Sequence, residues 1–73
     1  MRLELVVGQN VKRLRLAKAL TQEALAANVG IDMRYLGGIE RGQENPTVAV
    51  IGKLAKALGV HPSILLIEPR SKT

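Results

Sequence analysis

Apolar residues recur at helical spacing along nearly the whole chain, and residues that start and stop helices divide them. Val7, Val11 and Leu14 fall at i, i+4 and i+7, and Lys18 ends the stripe with an aliphatic stem and a charged head. A first helix is predicted over about residues 4–18, with Gly8 blurring its start. Thr21 has a hydroxyl suited to accept an orphan amide, so a second helix is expected from Gln22 to about Asn28, with Leu25, Ala26 and Val29 inward and Gly30 as its stop. Asp32 caps a third helix and complements its dipole; Leu36 and Ile39 face inward, and Gly42 ends it. After the loop Gln43-Glu44-Asn45-Pro46, Thr47 caps a fourth helix whose Val48, Ile51, Leu54, Ala55 and Leu58 form a stripe closed by Gly59. His61 and Pro62 open a short fifth helix with Leu65 and Leu66 inward. The pattern predicts one all-α domain over residues 1–67 and a short basic, frayed tail over 68–73.

Composition narrows what such a domain does. At 73 residues only roughly 60% of the unfolded surface is buried, so stability must come from close helix packing. The absence of cysteine excludes disulfides and thiolate zinc sites, and the single histidine, His61, has no partners for a metal site. No metal or cofactor is expected. Tyr35 is the sole aromatic, which argues against stacking on unpaired bases. Lys and Arg outnumber acids 11 to 6, a formal charge of +5 that favours a polyanionic partner. No stretch approaches the ~20 apolar residues of a membrane span, and the N-terminal segment makes a poor signal peptide because Glu4 interrupts it. A cytoplasmic, nucleoid-associated location is expected.

Two short helices joined by the turn Val29-Gly30-Ile31 form the element of functional interest. Ala26 and Gly30 offer small groups where crossing helices approach, and Leu25, Val29, Leu36 and Ile39 would lock the angle. This arrangement suits a helix-turn-helix, whose second helix enters the major groove. Helical bundles also contain such turns without binding anything.

The segments Thr21-Gln22-Glu23-Ala24-Leu25-Ala26, Tyr35-Leu36, Ile39-Glu40-Arg41-Gly42, Asn45-Pro46-Thr47 and Leu54-Ala55-Lys56-Ala57-Leu58-Gly59-Val60 occur in order over roughly Val7 to Leu66. In these the chain resembles the phage-repressor/Cro-like helix-turn-helix family, also called the XRE family. A weaker likeness, in Arg34-Tyr35-Leu36 and Ile39-Glu40-Arg41-Gly42, is to restriction–modification controller proteins. The resemblance implies a five-helix, lambda-repressor-like domain binding double-stranded DNA, with the third helix reading bases.

Carried over residue by residue, the resemblance assigns base reading to Met33 and Arg34 at the exposed start of the third helix and to Gln22, which would also touch a phosphate or brace a reader. Arg34 has a fork that matches guanine O6 and N7. Met33 suits a thymine methyl or partial packing. Backbone contacts fall to Tyr35, Arg41, Gln43 and Asn45, and more remotely to Lys12 and Arg13, for which a solvated face is the plainer reading. Arg15 is expected to meet Glu40, tying the reading helix to the scaffold, while Asp32 and Thr21 support it as caps. Gly37 and Gly38 depart from the family pattern: a contact side chain is common at the position of Gly38. Each glycine costs roughly 1 kcal/mol of helix stability relative to alanine.

The family likeness further implies a homodimer, joined through Val50, Ile64 and Ile67, that represses transcription from a palindromic operator. Two rivals stand beside it. One is a protein-interaction module, such as an antitoxin that covers a toxin. The other, a membrane-surface binder, is disfavoured because the first helix turns its apolar face to the core. No acid–base pair, nucleophile–histidine arrangement or phosphate-binding glycine loop suggests an enzyme.

Overall fold

The computed structural model describes residues 2–69, which form five α-helices: α1 (Leu3–Ala17), α2 (Gln22–Val29), α3 (Met33–Glu40), α4 (Val48–Leu58) and α5 (Pro62–Leu65). The order and capping follow the sequence pattern. Thr21 accepts a hydrogen bond from the Ala24 amide at 3.0 Å, Asp32 from Arg34 at 2.7 Å and Thr47 from Val50 at 3.1 Å. His61 accepts from the Ser63 amide through Nδ1 at the head of α5. Residues 70–73 of the expected tail lie outside the described residues, and Glu68 and Pro69 lie in no helix.

One core holds the five helices together. Val7 and Val11 of α1, Leu25, Ala26 and Val29 of α2, Leu36 and Ile39 of α3, Leu54, Ala55 and Leu58 of α4 and Leu65 of α5 share it. Leu14 is only partly buried, because the inward face of α1 runs through Val7, Val11 and Arg15. Helix α1 lies against α3, α4 and α5, whereas α2 packs on α3 and α4.

Among the glycines, a close helix–helix approach is made at Gly8 and not at Gly30. A Cβ at Gly8 would collide with the Ile39 carbonyl oxygen and lie 2.9 Å from that of Glu40, so α1 crosses directly over the end of α3. Gly30 has nothing within 4 Å of its Cβ position, and its φ of +82° shows that glycine serves there to terminate α2 in the left-handed region. Helix α1 ends without a glycine. Ala19 adopts φ +56° as the chain reverses, and the Leu20 amide bonds back to the Arg15 carbonyl at 3.1 Å.

Two expected core residues face outward. Val48 follows the stripe of α4 but is 87% exposed, since it is the first residue of the helix and contact with the core begins at Val50 and Ile51. Leu66 is exposed because α5 is only four residues long and Leu65 takes its single fully buried position. Besides the buried Arg15 and Glu40, a polar residue that the pattern did not place inside takes a core position. Asn10 is fully buried, and its Nδ2 donates to the carbonyls of Ile64, Leu65 and Ile67 at 3.1, 3.0 and 2.8 Å. This fastens α1 to the end of α5 and satisfies carbonyls that a short helix leaves open.

Candidate nucleic-acid interface

Helices α2 and α3 are joined by Gly30, Ile31 and Asp32; Val29 is still helical, so the turn begins one residue later than the sequence suggested. Leu36 and Ile39 are wholly buried and fix which face of α3 meets the core. Met33 and Arg34, in its first turn, face solvent, with Met33 49% exposed. Tyr35 is half-buried and packs against the core.

The far end of α3 is locked by charge. The Arg15 Nε donates to Glu40 Oε2 at 2.7 Å and Nη2 to Oε1 at 3.1 Å, while Nη1 donates to the Leu20 carbonyl at 2.8 Å. The side chains are 9% and 3% exposed. Hydrogen bonding to Glu40 raises the Arg15 pKa above its ordinary value, outweighing the opposing effect of burial. Gln22 completes the cluster by donating Nε2 to Glu40 Oε1 at 2.9 Å. The first residue of α2 is therefore bonded to the last of α3, a bracing role beside the DNA contact expected of Gln22. Every buried side-chain polar atom among the described residues has a partner.

The two glycines of α3 leave a strip bare of side chains, and residues beyond the helix fill it. Arg41 Nη1 lies 3.1 Å from where a Gly37 Cβ would stand, with the Gln22 amide 3.9 Å away. Arg41 Nε in turn donates to Gln43 Oε1 at 3.0 Å, so Gln22, Arg41 and Gln43 gather beside Gly37. Glu44 folds over Gly38, its Cγ 2.6 Å and Oε2 3.3 Å from the absent Cβ. Periodicity does not reveal these fillings, because they depend on the path of the loop.

Asn45, Lys12 and Arg13 are exposed. Arg13 Nη2 donates to Asn10 Oδ1 at 3.1 Å; among the described residues no hydrogen bond joins Lys12 or Arg13 to the α3 cluster. Arg2 was not foreseen at this end of the molecule. It reaches the Gly42 carbonyl at 3.4 Å and sets a further cation beside the loop after α3. Only the overall charge hinted at it.

The candidate dimer residues lie on α4, within α5 and just after it. Ile67 is 57% exposed, whereas Ile64 and Val50 are half-buried, Val50 against the core. Val48 and Leu66 add exposed apolar surface that the helical pattern had placed inside. No helix among the described residues is long and apolar enough to cross a membrane.

Comparison with known proteins agrees with this architecture. A helix-turn-helix family model matches residues 11–65. An uncharacterised HTH-type transcriptional regulator, y4dJ, of Sinorhizobium fredii is 46% identical over 68 residues, 93% of this chain and 87% of that protein. The control protein C.BamHI of Bacillus amyloliquefaciens is 42% identical over 65 residues, 88% of this chain and 80% of that protein. The crystal structure of the restriction-modification controller protein C.AhdI from Aeromonas hydrophila superposes with a TM-score of 0.82 at 47% identity, covering 85% of this chain and 94% of that one. With its turn between α2 and α3 and its family match over residues 11–65, the chain belongs to the helix-turn-helix family of transcriptional regulators, which are DNA-binding proteins and not enzymes.

Proposed function

We propose that the chain acts as a homodimeric repressor that binds a palindromic operator, each protomer inserting α3 into the major groove. The observation that carries this reading is the pairing of an exposed first turn of α3, bearing Met33 and Arg34, with a last turn pinned by Arg15 and Gln22 through Glu40. A reading helix held at its far end offers its leading side chains at a fixed angle, which keeps the entropy cost of docking low.

Arg34 reads guanine through its fork, and Met33 meets a thymine methyl or the groove wall. Gln22, Arg41 and Gln43, gathered beside Gly37, grip phosphates with Tyr35 and Asn45, and Lys12 and Arg13 extend the backbone contacts. The exposed Ile67, with the outward parts of Val50 and Ile64, forms the dimer contact; Val48 and Leu66 enlarge it. Repression then follows from occupancy of the operator.

Selection from a random duplex pool tests the reading. The expected product is a symmetric consensus with half-sites about 34–36 Å apart, or a multiple of that spacing, bound with an affinity that falls steeply as salt rises. Equal binding to all duplexes, or an asymmetric single site with a monomeric protein, refutes it. A promoter carrying the selected site should lose expression when the protein is supplied.

A further inference from the structure

Glu44 stands apart from the acids whose charges have evident uses. Glu40 is bonded to Arg15, Asp32 caps α3, Glu4 approaches Arg2 and Glu23 sits in the first turn of α2. Glu44 is exposed and makes no hydrogen bond or ion pair among the described residues, although it lies folded against the candidate DNA-binding helix.

Its position is specific. Gly38 lies four residues after Arg34, so the two share a face of α3 one turn apart. A side chain at position 38 would project beside that of Arg34. Gly38 has none, and Glu44 lays its Cγ across the vacant place with Oε2 close by. A carboxylate from the loop thus stands in for the missing side chain.

An ionised carboxylate only accepts hydrogen bonds. Phosphates and guanine edges present acceptors and repel it. Adenine offers its N6 amino group beside the N7 acceptor, whereas cytosine presents the N4 donor with no neighbouring acceptor on its own edge.

We infer that Glu44 is a specificity-determining residue, its carboxylate accepting a hydrogen bond from the N4 amino group of a cytosine one helical turn along α3 from the base that Arg34 meets. The inference rests on the DNA-binding reading given above and adds to it a base preference supplied from outside the helix.

Random-pool selection with the full chain and its Glu44→Gln and Glu44→Ala variants tests it. The wild type should select a cytosine at one position per half-site, with replacement of that base costing about tenfold in affinity, near the low end of base-contact discrimination. Glu44→Gln should shift that position toward adenine, whose N6 and N7 suit an amide. Glu44→Ala should lose the preference there while leaving the Arg34 position unchanged. Variants that keep the wild-type consensus and bind every duplex more tightly overturn the inference, because Glu44 would then merely oppose phosphate. A wild type that selects no consensus removes the DNA-specificity reading and this inference together, whereas an unchanged consensus in the variants removes only the latter.

Discussion

Arg15 holds Glu40 with two of its nitrogens across 25 residues of sequence, joining the last turn of the protein's longest helix, α1, to the end of α3. Both side chains are nearly sealed from water. Replacing Arg15 with Ala strands the carboxylate and should cost about 3–5 kcal/mol, far above the ~0–1 kcal/mol of a surface pair. Urea unfolding measures it, and a loss under 1 kcal/mol would show that the pair is dispensable. Replacing both partners with apolar residues of similar volume should recover much of the loss. The raised guanidinium pKa adds no pH sensitivity near neutrality. Its stabilising contribution is present below the unfolded value and fades only as pH rises through the folded one, well into alkali.

Gly8→Ala should be costly although the glycine sits inside a helix, where alanine normally gains about 1 kcal/mol. The added methyl would press on the carbonyls of Ile39 and Glu40. Overpacking of this kind costs roughly 1–3 kcal/mol. A variant more stable than the wild type in thermal unfolding would contradict the contact. Operator affinity should fall too, because the displaced end of α3 carries Glu40.

Ala19→Gly should stabilise the protein. A non-glycine residue in the left-handed region carries about 1–2 kcal/mol of strain, partly offset by the roughly 0.4–1 kcal/mol that glycine adds to unfolded-chain entropy. The expected gain is therefore about 0.5–1 kcal/mol. A drop in Tm would mean that the turn after α1 is not strained at Ala19.

Much of the fold was legible because helix caps are local chemistry. Thr21, Asp32, Thr47, Gly30 and Gly59 declare their helix ends within a few residues of sequence. What stayed hidden depends on distant chain segments. Asn10 is polar, yet it is buried because the end of α5 presents carbonyls to it. Val48 fits a helical stripe, yet it opens α4 ahead of the residues that meet the core. At the candidate interface, the Arg15–Glu40 pair came from resemblance, and Met33 and Arg34 lie in the exposed turn where it set them. The bracing of Gln22 on Glu40 and the filling of the glycine strip by Arg41 and Glu44 arise only when loop and helix meet.

Arg34→Ala separates binding from folding. Arg34 is exposed and its side chain forms no hydrogen bond among the described residues, so Tm should change little. Discrimination at a single operator position should weaken by about 1–3 kcal/mol, read as relative Kd across duplexes altered one base pair at a time. Uniform weakening against every duplex would reassign Arg34 to phosphate contact.

Helix α1 touches the end of α3 through Gly8 and ties down the end of α5 through Asn10, so two segments distant in sequence share one strut. In a dimer joined near α5, that strut would make the pair a ruler. The gap between the two inserted helices would be set by α1, leaving little slack for operators whose halves are a base pair too near or too far.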